Sequence, residues 1–212
     1  MKDMYNKYLN NEIKLDKLII IGVLALIVVI SGVFGWVYEF IFYFFNSGMK
    51  TFYYRGANFL PWINIYAYGA LFIILLNRNN KKKPLKIFLS SIFITGVLEF
   101  ISGYVMYNYF DGLRCWNYNT EILNFGNIGG YVCFRSVFFF GISSLLLMYG
   151  ILPICIYIAT HLDRKIFLIL SIGLFTIFIF DEVYNLIIAR VVNTPRARDV
   201  YSKIGYKYMD YK

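Results

Sequence analysis

Four carboxylates stand within or at the edge of long apolar runs that have the composition of membrane spans: Glu39, Glu99, Asp181 and Glu182. A charged side chain near the bilayer centre costs about 2.5–3.5 kcal/mol on insertion scales, so such groups usually face a protein interior or a water-filled cavity. In that setting a carboxylate can pair with an arginine, or it can bind a cation, an amine or a proton. These four acids are therefore the first candidates for a functional site.

Five apolar segments must position these acids. A membrane-spanning helix needs about 20 mostly apolar residues, and each segment is judged against that length. The segments cover residues 18–45, 61–76, 85–107, 133–159 and 166–189. The second is short and begins with Pro61, so we expect it to be partly unwound or to follow a re-entrant stretch. The pattern predicts an all-α fold, a polytopic membrane helix bundle of five or six transmembrane segments with a structured loop between the third and the fourth.

The composition favours a membrane protein. Of the 212 residues, 59% are hydrophobic and 16% are charged, whereas soluble domains carry about 25% charged residues. The first apolar run continues beyond the length of a signal-peptide core without a convincing cleavage site, so we expect it to be retained as a span. The predicted organisation is a cytoplasmic N-terminal segment 1–17, a single transmembrane domain 18–190 and a basic C-terminal tail 191–212.

The net charge of +9 is carried by loops and tails. Anionic lipid headgroups and the positive-inside rule account for it there, so we predict membrane lipids as partners and no nucleic acid. The segment Asn77–Lys86 holds five basic residues and no acid, which predicts that it and the N-terminus are cytoplasmic. Five spans would then place the basic tail outside, against the rule. If one segment is re-entrant and the number of spans is even, the tail lies inside. Five and six spans both stay open.

With the N-terminus inside, Glu39, Glu99 and Asp181 fall in the outer half of the membrane, and Arg135 begins the fourth span at a similar level. Three explanations stay open. Each acid can pair with an arginine and hold the bundle together, the acids can reach the lipid headgroups, or they can line a polar pocket with Arg135 as counter-charge. The substrate-binding candidates of the pocket hypothesis are Glu39, Glu99, Asp181, Glu182, Arg135, Trp62, Tyr66, Arg114, Trp116 and Tyr118.

The long loop 108–132 is too rich in aromatic, amide and glycine residues for a free linker, so we expect it to pack over the bundle as a cap. Its segment Arg114–Tyr118 would act as a lid over the pocket. The aromatic candidates have a competing explanation as an interfacial belt, since Trp and Tyr favour the headgroup level. Cys115 and Cys133 flank the loop, and the sequence is compatible with a disulfide or with two free thiols.

Catalytic signatures are missing from the sequence. It contains no G-x-S-x-G, no H-E-x-x-H and no phosphate-binding G-x-x-x-x-G-K-[ST]. The cysteines do not have the spacing of a metal site. We therefore predict no catalytic residue, no metal and no cofactor, and any energy from ATP must come from a partner.

Several stretches in order along the chain resemble a known family. They are Gly35–Glu39, Leu60–Gly69, Leu98–Phe100, Arg114–Tyr118 and Asn127–Cys133. Together they resemble the bacterial membrane family described as putative ABC-transporter type IV, also called the CmpB family, over about residues 30–190. The resemblance implies a multi-pass cell-membrane protein with a permease-like role and a separate ATPase subunit. The loop departs from the family's Trp-Asp-Tyr-Ser pattern, with Asn117 in place of its Asp and Asn119 in place of its Ser, at the third and fifth positions of Cys115–Asn119.

The sequence therefore predicts a permease-like transport protein that binds a small solute or cation in an acidic intramembrane pocket. Two other classes stay open. A membrane-embedded enzyme acting on a lipid or peptide would use the same carboxylates as acid and base, and would open laterally between helices. A non-catalytic sensor or assembly factor would instead use the basic tail as its partner surface. A homo-oligomer is compatible with each of these classes.

Overall fold

The computed structural model describes residues 2–109, 112 and 114–208. All the regular structure in this part of the chain is helical, and its β-type pairings are isolated bridges. The α-helices are α1 (Lys2–Leu9), α2 (Lys17–Asn46), α3 (Asn64–Asn77), α4 (Pro84–Tyr109), α5 (Phe134–Leu146), α6 (Leu152–His161), α7 (Arg164–Val183), α8 (Ala189–Val191) and α9 (Ala197–Lys203). The all-α class predicted from the sequence is confirmed.

Four helical stretches are long and apolar enough to cross a membrane: Lys17–Asn46, Pro84–Tyr109, Phe134–His161 and Arg164–Val191. The last two continue through the π-helical turns Leu147–Ile151 and Tyr184–Ile188. The second predicted segment contains only the 14-residue α3. At 1.5 Å per residue α3 rises about 21 Å, which is less than the ~30 Å of a hydrocarbon core. Four candidate spans are therefore supported, and the predicted count of five or six is not confirmed.

Large apolar side chains cover much of the outer surface of these helices. Leu85, Phe93 and Ile169 are 68%, 72% and 71% exposed. A monomeric soluble protein rarely exposes apolar surface on this scale, whereas lipid chains solvate it readily. The exposed surface therefore agrees with the hydropathy of the four long helices.

The chain forms two compact units, of which the first contains residues up to Leu75 and from Gly150 on. In this unit α2 packs against α6 and α7. Gly22 permits a close approach, since an added Cβ there would lie 2.8 Å from the Phe167 ring. Val28, Trp62 and Phe178 belong to the buried core of the unit.

Helices α2 and α7 run in the same direction. At their beginnings, Arg164 Nη2 lies 3.4 Å from Asp16 Oδ1. At the other end, Asp181 of α7 binds the backbone N–H groups of Phe59 and Leu60, which follow the end of α2. The segment 47–63 therefore lies at the opposite end of this unit from the beginnings of both helices.

The C-terminal tail packs onto the same end of the first unit. The Ala197 N–H donates to Asn185 Oδ1 at 2.7 Å, and the Tyr201 hydroxyl donates to the Phe59 carbonyl at 2.6 Å. The ring centroids of Tyr54 and Tyr201 are 4.5 Å apart. The tail and the segment 47–63 therefore lie at the same end of the first unit. This placement agrees with the parallel direction of α2 and α7, because the tail follows α7 and the segment 47–63 follows α2.

The second unit contains Leu76–Tyr149. Its helices α4 and α5 pack closely, and an added Cβ at Gly141 would lie 2.7 Å from the Phe88 ring. The loop between them is structured. Trp116 Nε1 donates to the Tyr131 carbonyl at 2.8 Å, and the Tyr118 N–H donates to the Gly130 carbonyl at 3.1 Å.

Candidate functional site

Glu182 near the end of α7 is held by two side chains of α3. Asn64 Nδ2 donates to Glu182 Oε1 at 2.9 Å, and the Tyr68 hydroxyl donates to Glu182 Oε2. Asn64 and Tyr68 are four residues apart, so both lie on one face of α3. Asn58 extends the chain of polar groups, because its Nδ2 donates to Asn64 Oδ1 at 2.8 Å. The result is a row of polar groups in which one member is anionic.

The donors to Glu182 are neutral, and its side chain is partly exposed. Within the described residues, no lysine or arginine forms a salt bridge with it. Hydrogen bonds stabilise the negative charge but do not cancel it. The site can therefore attract a positively charged group.

The hydrogen bonds that run from Asn58 through Asn64 to Glu182 leave one acceptor, Asn58 Oδ1, without a partner. An anionic Glu182 requires the NH₂ group of Asn64, so Asn64 Oδ1 must accept, and Asn58 must offer its own NH₂ group. Asn58 Oδ1 then has no hydrogen-bond partner, although Asn58 is only 2% exposed. A buried unsatisfied carbonyl is unfavourable, and a donor from a water or a ligand would satisfy it.

Asp181 has a different environment from Glu182. Its Oδ1 and Oδ2 accept the backbone N–H groups of Phe59 and Leu60, each at 2.9 Å, and Asn185 Nδ2 donates to Oδ1 at 2.8 Å. The side chain is buried, with 6% exposure. Its hydrogen bonds join α7 to the segment before α3, so Asp181 acts as a structural connection.

Glu39 forms a partly buried ion pair. Its Oε2 lies 2.7 Å from Arg55 Nε, and the Arg55 guanidinium carbon lies 3.9 Å from the centroid of the Tyr43 ring. Of the four acids singled out from the sequence, Glu39 is the one that forms a salt bridge in the described residues. The arginine-pairing explanation therefore fits Glu39 and does not fit the other three.

Glu99 belongs to the second unit and is 4% exposed. It contacts the Tyr118 hydroxyl at 2.6 Å and Ser136 Oγ at 2.7 Å. Arg135, the predicted counter-charge, instead forms a salt bridge of 2.6 Å with Glu121. Neutral hydroxyl groups thus surround Glu99, and the positive charge of Arg135 is already compensated.

The aromatic candidates of the first unit take part in packing. Trp62 is 5% exposed, and its ring centroid lies 5.2 Å from that of Phe178. The Tyr66 ring packs directly over Gly35, where an added Cβ would overlap it. Both residues pack within the first unit, as their contacts with Phe178 and Gly35 show.

Arg114, Trp116 and Tyr118 organise the loop of the second unit. The Arg114 guanidinium carbon lies 4.4 Å from the centroid of the Tyr107 ring, and Arg114 Nη1 also lies 3.4 Å from the Gly129 carbonyl. Tyr118 is the member of the three that reaches an intramembrane carboxylate. Together these contacts hold the loop in one conformation over Glu99.

The thiol alternatives are now distinguished. Cys115, Cys133 and Cys155 are not joined by disulfides. In the part of the chain that the structure describes, no cluster of three or more His, Cys, Asp or Glu residues could hold a metal ion. The candidate site consequently consists of carboxylates, amides and hydroxyls.

Sequence reasoning missed several of the residues that complete these sites: Asn58, Asn64, Tyr68, Glu121 and Ser136. The i, i+4 spacing of Asn64 and Tyr68 on a short apolar helix was a usable signal, since it places two polar groups on one face. Glu121 and Ser136 carried no comparable signal, because the loop that brings Glu121 to Arg135 has no regular periodicity.

The long apolar helices define a polytopic α-helical membrane protein. The family model described as putative ABC-transporter type IV matches residues 25–186. This match covers most of the chain, so the protein belongs to that family. No curated protein and no solved structure matches the chain significantly.

Proposed function

We propose that this chain is the membrane-embedded component of a transport system in the cell membrane, and that it binds a cationic or amine-bearing solute at Glu182. The family membership supports a role in transport. The observation that carries the proposal is the partly exposed Glu182 carboxylate, whose hydrogen-bond donors are the neutral side chains of Asn64 and Tyr68.

The oxygen atoms of this site favour a solute that carries positive charge and N–H hydrogen-bond donors. An ammonium group carries three N–H donors and no acceptor, so it needs several acceptors around it. The carboxylate oxygens of Glu182 and the hydroxyl oxygen of Tyr68 can serve as acceptors, and Asn58 Oδ1 is an unused one nearby along the amide chain. An anionic solute would be repelled by Glu182 and would leave Asn58 Oδ1 unsatisfied.

Glu39 and Asp181 make a smaller contribution to this proposal. The charge of Glu39 is compensated by Arg55, and both oxygens of Asp181 accept backbone N–H groups. A solute would have to displace these interactions to reach either acid. We therefore assign them to holding the first unit together around the solute site.

Energy for transport would come from a separate ATPase subunit, because the sequence has no phosphate-binding loop of its own. The cytoplasmic segments predicted from charge, 77–86 and 161–165, are the places where that subunit would bind. Affinity purification of the tagged chain from its native membrane should recover a nucleotide-binding protein. Recovery of the chain without any such protein would contradict this part of the proposal.

A thermal-shift screen tests the solute site. The purified protein in detergent would be heated with inorganic cations, amines, amino acids, vitamins and lipid headgroups, beside the Glu182→Gln variant. We expect a cation or amine to raise the melting temperature of the parent and not of Glu182→Gln. The matched control is Glu12→Gln, which removes the same charge from an exposed position and should keep the full shift. Equal shifts in the parent and Glu182→Gln would contradict the proposal.

A further inference from the structure

The carboxyl group of Glu99 has more short oxygen–oxygen contacts than the neighbouring hydroxyls can supply with hydrogens. Tyr118 Oη lies 2.6 Å from Glu99 Oε1, and Ser136 Oγ lies 2.7 Å from Glu99 Oε2. Ser136 Oγ also lies 2.8 Å from the Cys133 carbonyl oxygen. Each of these three contacts needs one hydrogen, since two oxygens at this distance repel each other without one. The hydroxyls of Tyr118 and Ser136 supply only two.

We propose that Glu99 is a proton-binding site and that its carboxyl group carries the third hydrogen. The Glu99 hydroxyl then donates to Ser136 Oγ, Ser136 donates to the Cys133 carbonyl, and Tyr118 donates to Glu99 Oε1. Ser136 Oγ has a second lone pair, which accepts the Cys133 N–H at 3.4 Å. One added proton therefore completes every hydrogen bond in the cluster.

The surroundings of Glu99 do not supply a competing counter-charge. The titratable groups that act on it in the described structure are Tyr118 and Glu121 of the loop and Arg135 of α5. Glu121 and Arg135 form a salt bridge of 2.6 Å, so their opposite charges largely cancel at Glu99. Glu99 is also 4% exposed, and a buried charge without water or a counter-ion is costly.

Closure of the loop and binding of the proton favour each other. The loop supplies Tyr118, which is buried over Glu99 and is fixed by the hydrogen bond from its own N–H to the Gly130 carbonyl. If the loop moves away, Glu99 loses the Tyr118 donor, which by itself would favour the protonated acid, but it also leaves its buried surroundings and gains water. Water replaces the lost donor and hydrates the charge, so the net change favours the ionised carboxylate. The proton must therefore bind more tightly when the loop is closed, and the closed loop must be more populated when the proton is bound.

This proton site lies in the second unit and does not depend on the solute site at Glu182. It gives the loop Arg114–Val132 a proton-dependent lid function, in which opening releases a proton and closing takes one up. The balance is one proton for each closure, with the proton exchanged with water. Acidic conditions would favour the closed lid.

Infrared difference spectroscopy detects the proton directly. The spectrum of the parent minus that of Glu99→Gln, recorded at neutral pH, should contain the carbonyl band of a protonated carboxylic acid, which shifts to lower frequency in D₂O. The control is Glu39→Gln, which removes an ion-paired carboxylate and should remove carboxylate bands instead. If Glu99→Gln fails to fold, Ser136→Ala serves, since it should shift the acid band of Glu99. Carboxylate bands in place of the acid band would overturn the proposal.

Hydrogen exchange measures the coupling between the proton and the loop. Exchange in the backbone of Asn117–Thr120 would be compared at one mildly acidic and one mildly alkaline pH, after correction for the chemical exchange rate. We expect the parent to lose protection at the alkaline pH and Glu99→Gln, which stays neutral, to show equal protection at both. An equal loss in both proteins, or no loss in the parent while its acid band disappears, would overturn the coupling.

Discussion

Asp181 and Glu182 are consecutive residues of α7, yet their carboxylates bind different partners. Asp181 accepts hydrogen bonds from the backbone N–H groups of Phe59 and Leu60, whereas Glu182 accepts hydrogen bonds from the side chains of Asn64 and Tyr68. Asp181 is buried and saturated with donors, and Glu182 is partly exposed. Two adjacent acids thus differ in role: Asp181 holds the fold, and Glu182 is the carboxylate to which we assign solute binding in the proposed function.

The Asp181→Asn variant should be less stable than the parent. An asparagine amide would present an NH₂ group to one of the two backbone N–H donors, so one hydrogen bond to a charged acceptor is lost and two donors face each other. Hydrogen bonds to charged groups contribute about 1.5–3 kcal/mol, and we expect a decrease of this size in the free energy of unfolding. Reversible denaturation in mixed micelles measures it.

The matched control is Glu182→Gln, in which the new amide can accept from Asn64 with its oxygen and donate to Tyr68 with its nitrogen. Its unfolding free energy should stay close to that of the parent. If both variants lose the same stability, the division of labour between the two acids is wrong.

The Gly35→Ala variant should weaken the contact between α2 and α3. An added Cβ at Gly35 would overlap the Tyr66 ring, and overpacking of a tight contact typically costs about 1–3 kcal/mol. Melting of the purified protein in detergent would show the loss. Gly173→Ala in α7 is the control, since nothing lies within 4 Å of its added Cβ. A helix generally gains from this exchange, so Gly173→Ala should be neutral or stabilising, and equal losses at both positions would contradict the packing.

The two ends of the chain should lie on opposite sides of the membrane. Four crossings would return the chain to the side where it began, so this topology requires a further crossing through the short helix α3 and the residues before it. Helices α2 and α7 begin at the same end of the first unit, and the tail packs at the other end. With the native cysteines replaced by serine, Lys7→Cys and Lys203→Cys would be labelled in intact cells with an impermeant maleimide. We expect Lys203→Cys to react in intact cells and Lys7→Cys only after lysis. Labelling of both variants under the same condition would contradict this topology.

The contact of the tail with the segment 47–63 should weaken at alkaline pH. Burial raises the pKa of Tyr208 to about 12 and also raises the pKa of Tyr54. A tyrosine in the detached tail ionises near pH 10, so the detached form holds fewer protons above that pH, and stability is lost as the pH rises from about 10 towards 12. Protease sensitivity of residues 193–208 would follow this loss. Tyr208→Phe should shift the onset to higher pH, and an unchanged onset would exclude Tyr208 as a cause.

The sequence predicted the class and the positions of the helices well. Hydropathy located all five apolar segments, since length and composition alone determine where a chain can enter a bilayer. The segment that begins with Pro61 was expected to be partly unwound, and α3 begins at Asn64, three residues later, a boundary that the sequence did not specify. Proline fixes its own φ and restricts the preceding residue, but it does not determine how many following residues remain outside the helix.

The partners of the acids were harder to predict. The sequence singled out Glu39, Glu99, Asp181 and Glu182, and the structure gives each a defined set of contacts. Several of their partners come from loops, namely Arg55, Tyr118 and the backbone at 59–60, and loop conformations follow no period that can be read along a chain. The partners of Glu182 lie on the helix α3 instead. Intramembrane acids can therefore be found from sequence, while the choice between ion pair, backbone connection and open carboxylate needs the fold.

The central claim is that the negative charge of Glu182 binds a positively charged solute, and equilibrium binding of charge-matched probes tests it most directly. Pairs of similar size that differ in charge, such as ethanolamine and ethylene glycol, would be titrated into the parent, Glu182→Gln and Glu12→Gln by calorimetry in detergent. The claim predicts that the parent and Glu12→Gln prefer the charged member of a pair and that Glu182→Gln has lost this preference. An unchanged preference in Glu182→Gln, or no preference in the parent across the series, would contradict it.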